Sequence, residues 1–284
     1  MELTGSIVGI VLFGALLHAS WNVLVKSSTD KALDTALIHL LGSFIALPLV
    51  FIVGWPPAGA WPYIVSSVII HIAYYVALTG AYKYGDMGLT YPLMRGVAPM
   101  LVALSAFTTL GEHLSALAWA GVIGICSGVL VLGLSRHALD NRRATLFALA
   151  NAVVIALYTV VDALGARVAV AEGGSAMQYV VALFVLDGWP FALMVLARRG
   201  RTAWPYAQAR WPMAAGGALA SLGSYGIALW AMTRAPVASV AALRETSVLF
   251  AALLGSWFLK EHFTPRRALG TCIIVGGVMA LRLG

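Results

Sequence analysis

The chain has 284 residues, of which 61% are hydrophobic and 10% are charged, and its formal net charge is +7. Soluble domains carry roughly 25% charged residues, so this composition excludes an ordinary soluble domain and indicates a membrane protein. The basic residues lie mainly between apolar runs, where they act as topology signals and lipid contacts, and we expect no nucleic-acid partner.

Ten apolar stretches follow one another along the chain, each roughly 20 residues long and able to cross a bilayer as a helix. The predicted spans cover residues 4–25, 33–54, 62–82, 89–110, 116–135, 144–166, 176–197, 212–233, 238–259 and 266–283. Five spans precede the loop at residues 136–143 and five follow it. We therefore predict an all-α polytopic membrane protein with ten transmembrane helices.

The second half of the chain repeats a pattern of the first half. Arg95 stands seventeen residues before Glu112 (112 − 95 = 17), and Arg244 stands seventeen residues before Glu261 (261 − 244 = 17). Because each half has an odd number of predicted spans, the second half must cross the membrane in the opposite sense to the first. The pattern predicts two inverted five-helix repeats.

The basic residues of the loops predict which side of the membrane each loop faces. Lys and Arg in short loops favour the cytoplasm. One set of loops carries 13 Lys and Arg residues, whereas the opposite side, with both termini, carries only Arg167, Arg234 and Arg282. This bias predicts that both termini face away from the cytoplasm.

A short charged motif occurs once in each half. Residues 110–115 read LGEHLS, residues 259–264 read LKEHFT, and a glycine follows each copy at the same distance, Gly121 and Gly270. This repeated pattern resembles the EamA repeat of the drug/metabolite transporter superfamily. The acidic residue of each motif lies in a turn just before a helix, so we expect it to cap that helix, with Ser115 and Thr264 near the same start.

The resemblance implies one EamA-like five-helix repeat over residues 1–137 and a second over residues 138–284. It also implies an alternating-access carrier with a substrate cavity between the repeats. It implies no particular substrate, because the superfamily moves amino acids, amines, nucleotide sugars and sugar phosphates. Relatives usually have both termini in the cytoplasm, which is the alternative to the orientation that the charges predict. Short loops suit a bacterial cytoplasmic membrane.

Ionisable side chains inside predicted spans are candidates for function, because each costs at least a few kcal/mol unless it faces a cavity or a partner. Six such residues stand out: His18, Arg95, Asp162, Asp187, Arg244 and Glu245. The two arginines occupy matching places, so the repeat directs both towards one cavity. A guanidinium suits a carboxylate, phosphate or phosphonate group. Alternatively, either arginine reaches an interface or pairs internally, as Arg244 could with Asp162.

Polar and aromatic residues on other spans are further candidates for substrate contact. His18, Trp21 and Asn22 share one helical face, and Tyr158 and Asp162 share another. The alternative is that these polar groups hydrogen-bond between helices. Two more rings are candidates for the cavity lining, although packing is the simpler role for each ring alone: Tyr75 and Tyr225.

Two buried carboxyl groups are candidates for proton coupling. Glu245 and Asp162 lie inside predicted spans, where a low dielectric favours binding of a proton, whereas the neighbouring Arg244 favours the charged form of Glu245. Asp187 precedes Gly188-Trp189-Pro190, and we expect it to satisfy backbone groups that this local kink frees.

The leading function is a transporter of a small polar metabolite, an organic anion or zwitterion such as an amino acid or a phosphorylated or phosphonate compound. An exporter of cationic or lipophilic drugs or amines is the alternative, because Asp162 and Glu245 are acidic. A channel and an intramembrane enzyme are alternatives of a different class. The sequence has no HExxH or GxSxG motif, so we predict no enzyme activity, metal site or cofactor. The expected partners are a small-molecule substrate and the lipid bilayer, and the protein is expected to be a monomer or a homodimer.

Overall fold

The computed structural model describes residues 2–26, 28–84, 87–133, 141–258 and 264–284. The helices within these ranges are α1 (Gly5–Lys26), α2 (Lys31–Val53), α3 (Trp61–Tyr84), α4 (Met87–Thr109), α5 (Ala116–Gly133), α6 (Arg142–Ala171), α7 (Ala176–Arg199), α8 (Ala203–Met232), α9 (Val237–Arg244), α10 (Thr246–Phe258) and α11 (Pro265–Leu283). Two short 3-10 helices, Ala58–Ala60 and Gly200–Thr202, precede α3 and α8. The described part of the chain has no strand, which confirms the predicted all-α class.

Seven helical segments in the described ranges are long and apolar enough to cross a membrane. They are Gly5–Val25, Lys31–Val53, Ala58–Ala81, Ala116–Gly133, Arg142–Ala171, Ala176–Met232 and Val237–Leu254. The segment Ala176–Met232 includes both α7 and α8. The chain is therefore a multi-pass membrane protein, whereas the predicted count of ten spans is not confirmed.

One predicted span, residues 238–259, is not a continuous helix. The break falls at Glu245, between α9 and α10. There the backbone tightens, because the N–H of Glu245 donates to Ala242 O and the N–H of Val248 donates to Glu245 O, each at 3.0 Å. These bonds span three residues instead of the four of an α-helix. The break places Arg244 and Glu245 at the junction of two helices.

The principal helix pairs join the first half of the chain to the second half. Helix α5 packs against α11, α2 against α7, α3 against α6 and α1 against α8. Where α5 crosses α11, a Cβ on Gly128 would lie 2.9 Å from Gly270 O, and a Cβ on Gly277 would lie 2.9 Å from Gly121 O. The two helices pack closely here, because only glycine permits this approach of the backbones.

The hydroxyl side chains of the two charged motifs cap the helices that follow the motifs, whereas the prediction assigned this role to the acidic side chains. Ser115 Oγ accepts a hydrogen bond from the N–H of Ala118 at 3.0 Å at the start of α5. Thr264 Oγ1 accepts one from the N–H of Arg267 at 3.3 Å at the start of α11. Each hydroxyl satisfies a backbone donor that has no partner within its helix.

The prediction that Glu112 caps its own helix is wrong. Its Oε2 accepts a hydrogen bond from the N–H of Val237 at 2.8 Å, at the start of α9, and its Oε1 lies 2.6 Å from Arg167 Nη2. The fold places the turn that carries Glu112 beside the first turn of α9, which belongs to the second half of the chain. The backbone N–H groups of that first turn have no acceptor within their own helix. The corresponding pair Glu261-His262 lies outside the described residues.

Candidate functional site

A cavity of about 120 Å³ lies in the described structure between helices of both halves. Side chains from α1, α2, α3, α4, α6, α7, α8 and α9 form its walls. Eight of the ten predicted site residues line it: Arg244, Arg95, Tyr158, Asn22, Trp21, His18, Tyr75 and Tyr225. The structure therefore brings together residues that are distant in the sequence, while their contact with a substrate stays a prediction.

Arg95 is the buried member of the arginine pair. Only 7% of its surface is exposed, and its Nε lies 2.8 Å from Glu245 Oε2. Its Nη2 also donates a hydrogen bond to Ser247 Oγ at 3.2 Å. Glu245 is 4% exposed, so an opposite charge of equal size neutralises the Arg95 guanidinium inside the protein. Glu245 lies beside the main cavity, in a small adjoining space that both arginines also line.

Arg244 has a different environment from Arg95. It is half-buried and lines the main cavity, with its Cζ 5.2 Å from the centre of the Tyr225 ring. In the described part of the chain, no carboxylate lies within salt-bridge distance of Arg244, and no group hydrogen-bonds to its guanidinium. The expected symmetry of the two arginines is therefore broken, because Arg95 takes the carboxylate of Glu245.

Asp162 is held behind the wall of the cavity. It is fully buried, and its Oδ1 accepts a hydrogen bond from Tyr179 Oη at 2.8 Å. Its Oδ2 accepts a hydrogen bond from Tyr225 Oη. The suggested pairing of Arg244 with Asp162 is wrong, since Tyr225 meets Asp162 with its hydroxyl and Arg244 with its ring face. Asp162 is absent from the lining of the main cavity.

A polar cluster on α3 and α7 forms another part of the wall. The Nδ1–H of His71 donates to Ser67 O at 2.9 Å, and the His71 ring stacks on Tyr158 with centroids 4.4 Å apart. Because a carbonyl oxygen can only accept, this bond places a proton on Nδ1. Asp187 Oδ1 lies 3.8 Å from the same nitrogen. Asp187 also lines the cavity. No hydrogen bond in the described structure supports its predicted role at the kink.

Sequence reasoning missed two histidines of this wall, His39 and His71. Both line the cavity, and His39 Nδ1 lies 3.4 Å from Tyr75 Oη. They fall inside the predicted spans 33–54 and 62–82, so the cost of a polar ring in a membrane would have identified them. These two histidines supply polar groups to the cavity wall formed by α2 and α3.

The residues predicted on α1 line the cavity with partners of their own. Asn22 Nδ2 donates to His18 O at 2.7 Å within the helix, and the rings of His18 and Trp21 meet edge to face at 5.2 Å. Trp21 Nε1 is buried without a hydrogen-bond partner among the described residues. Asn22 therefore bonds within its own helix, whereas the indole N–H is a donor whose acceptor the described chain does not supply.

Comparison with known proteins identifies the family. A model of the EamA-like transporter family matches residues 142–283, which is half of the chain. The chain belongs to the EamA-like transporter family. The match supports the drug/metabolite transporter superfamily, whose EamA members are transporters and not enzymes. It covers one EamA domain, so the predicted first repeat over residues 1–137 has no family match of its own.

A solved crystal structure supports the same fold over the whole chain. It covers 99% of this EamA protein and 99% of its own chain, with a TM-score of 0.74 and 20% sequence identity. At that identity the likeness establishes the fold alone. A search of the curated proteins gave no match. In the described ranges, no group of three or more His, Cys, Asp or Glu residues could hold a metal ion.

Proposed function

We propose that this EamA-family protein is a secondary transporter that binds a small organic anion or zwitterion in the cavity. The observation that supports this proposal is Arg244, whose guanidinium lines the cavity and has no carboxylate partner in the described chain. Such a charge is costly in a membrane interior, and a bound anion would offset that cost. The planar fork of an arginine suits a carboxylate, phosphate or phosphonate group.

The neighbouring charges favour an anion over a cationic drug. Glu245 is occupied by Arg95 at 2.8 Å, and Asp162 accepts hydrogen bonds from two tyrosines. Neither of these carboxylates lines the main cavity, whereas Arg244 does. The predicted alternative, an exporter of cations, depended on these two carboxylates, and it would instead need Asp187, the acidic residue that lines the main cavity.

The proposed transporter has ten spans arranged as two inverted five-helix repeats, residues 1–137 and 138–284. The α5–α11 crossing supports this arrangement. A Cβ on Gly121 would lie 2.7 Å from Leu281 Cγ, and a Cβ on Gly270 would lie 2.8 Å from Leu132 Cγ. The offset of 149 residues converts one of these contacts into the other (270 − 121 = 149; 281 − 132 = 149). Two helices related by a pseudo-two-fold axis would have such paired contacts, and alternating access uses the same symmetry.

The proposed location is a bacterial cytoplasmic membrane, with both termini outside the cytoplasm as the loop charges predict. A reporter fused after Gly284 that is active only in the cytoplasm tests this orientation. Activity of that reporter would show instead that both termini are cytoplasmic, the arrangement usual for the family.

Ligand-induced thermal stabilisation of the purified full chain tests the anion proposal. The probes are amino acids, phosphonates, sugar phosphates and amines, and a ligand at 100 times its Kd stabilises by about 2.7 kcal/mol. We expect the carboxylate or phosphonate probes to stabilise the protein, Arg244→Lys to weaken their effect and Arg244→Gln to abolish it. Arg234→Gln is the control, because Arg234 also lies over an aromatic ring, Trp230 at 4.7 Å, but is exposed.

Two results would contradict the anion proposal. The first is stabilisation by amines alone, which favours the cation exporter. The second is anion binding that Arg244→Gln leaves unchanged. Counterflow in liposomes separates a carrier from a channel, and a flux unaffected by an imposed pH gradient would remove the proton-coupling role predicted for Glu245 and Asp162.

A further inference from the structure

The cavity has a second charged residue that an anion alone would leave unused. Asp187, on α7, lines the same space as Arg244 on α9. We propose that Asp187 forms a second binding pole, so that the substrate is a compact zwitterion with its cationic group against Asp187 and its anionic group against Arg244. This inference rests on the proposed function and narrows its substrate class.

One oxygen of the Asp187 carboxylate has no hydrogen-bond donor in the described part of the chain. This atom, Oδ1, is buried. His71 Nδ1 lies 3.8 Å from Asp187 Oδ1, which is beyond hydrogen-bond distance, and the same nitrogen donates to Ser67 O at 2.9 Å. A buried carboxylate oxygen without a partner is costly, and an ammonium group has three N–H donors to offer it.

The two poles do not neutralise each other. In the described chain no salt bridge joins Arg244 to Asp187. Arg244 lies against the ring of Tyr225 at 5.2 Å, and the centres of the Tyr225 and Phe184 rings are 5.9 Å apart. Phe184 precedes Asp187 by three residues on α7, which is about one helical turn. Tyr225, beside the guanidinium, and Phe184, one turn from the carboxylate, both line the same cavity.

Opposite charges in one low-dielectric cavity select a ligand with both charges. An anion would offset the charge of Arg244 and would be repelled by Asp187, whereas a cation would have the reverse effect. A zwitterion offsets both charges at once, which is the arrangement with the smallest uncompensated charge. The substrate class follows from the pair of poles, since neither pole alone distinguishes a zwitterion from a simple ion.

Neighbouring groups also suit an ammonium group at the Asp187 pole. In the neutral tautomer whose Nδ1 donates to Ser67 O, the Nε2 of His71 is an acceptor. The volume of about 120 Å³ is small beside the roughly 300–1,000 Å³ of pockets for drug-sized ligands. This volume favours a compact substrate over a nucleotide-sized one.

Three probes that differ mainly in charge test the second pole. They are leucine, which is zwitterionic, N-acetylleucine, which is anionic, and leucinamide, which is cationic, with the alanine and phenylalanine series measured beside them. Affinities come from thermal stabilisation and competition on the purified full chain. We expect the wild type to bind a free amino acid at least tenfold more tightly than its N-acetyl and amide forms.

Variants of Asp187 and Arg244 test which charge of the probe each residue binds. Asp187→Asn should reduce the affinity for the free amino acid at least tenfold while leaving the affinity for the N-acetyl form unchanged or improved. Arg244→Gln should reduce both affinities. Asp30→Asn is the matched control, because Asp30 caps α2 and pairs with Arg199 at 2.9 Å, and asparagine also caps helices. Asp187→Glu keeps the charge and should keep the order of the three probes.

Each contrary result has a separate meaning. Tighter binding of the N-acetyl form by the wild type, or an equal effect of Asp187→Asn on both forms, would overturn the zwitterion inference. The anion proposal would then still stand if Arg244→Gln abolished binding of the N-acetyl form. Binding of all probes that is unchanged in Arg244→Gln, or stabilisation by none of them, would overturn both. An Asp187→Asn protein that is not monodisperse on size exclusion is replaced by Asp187→Glu, whose loss of the preference for free amino acids would contradict the inference.

Discussion

Glu245 pairs with Arg95 and not with Arg244, the residue next to it in the sequence. The Arg95 Nε and Glu245 Oε2 atoms lie 2.8 Å apart, and both side chains are buried. Arg244 is the last residue of α9, and Glu245 lies at the break before α10. One arginine is therefore neutralised inside the protein, and the other keeps its charge at the cavity.

Removing the charge of Glu245 should destabilise the protein. Glu245→Gln leaves the buried Arg95 guanidinium uncompensated, and breaking such a pair costs about 3–5 kcal/mol. We expect a large fall in the melting temperature of the detergent-solubilised protein. The double variant Arg95→Met, Glu245→Met should recover most of the loss, because it buries no charge. A single variant that melts no lower than the double variant would contradict this explanation.

Two adjacent glycines of α11 should differ sharply in their tolerance of alanine. A Cβ on Gly277 would lie 2.8 Å from the backbone N of Ile125 and 2.9 Å from Gly121 O, whereas a Cβ on Gly276 meets nothing within 4 Å. Gly277→Ala forces α5 and α11 apart and should cost about 1–3 kcal/mol. Gly276→Ala should be neutral or slightly stabilising, since alanine favours a helix. Equal melting temperatures for the two variants would show that α5 and α11 are far enough apart at Gly277 to accept a methyl group.

The Glu112 carboxylate should stabilise the end of the bundle by linking two halves of the chain. It accepts from the N–H of Val237 at 2.8 Å and lies 2.6 Å from Arg167 Nη2. Glu112→Gln removes the charge from both contacts and should cost about 1–3 kcal/mol, measured as a lower melting temperature. The neighbouring exposed His113 supplies the control, His113→Gln, which should change little. If His113→Gln lowered the melting temperature as much as Glu112→Gln, the effect would come from disturbance of the turn and not from the two contacts of Glu112.

Much of the cavity lining was predictable because a membrane makes polar groups conspicuous. Arg95, Arg244 and His18 stand out in apolar spans for this reason, and the structure places all three at the cavity. The same reasoning applied to His39 and His71 would have completed the polar wall. Asp162 met the criterion as well, yet two tyrosine hydroxyls occupy it behind the cavity.

Composition and charge alone establish that this is an all-helical, multi-pass membrane protein, because apolar runs of bilayer length and a scarcity of charge depend on no long-range contact. The matched positions of Arg95 and Arg244 are likewise visible in the sequence. Only the tertiary structure decides that Glu245 neutralises Arg95 and that Arg244 and Asp187 face the cavity without a salt bridge between them. Charge pairing depends on distances of a few ångströms between helices far apart in the chain, and a helix break of one residue changes those distances.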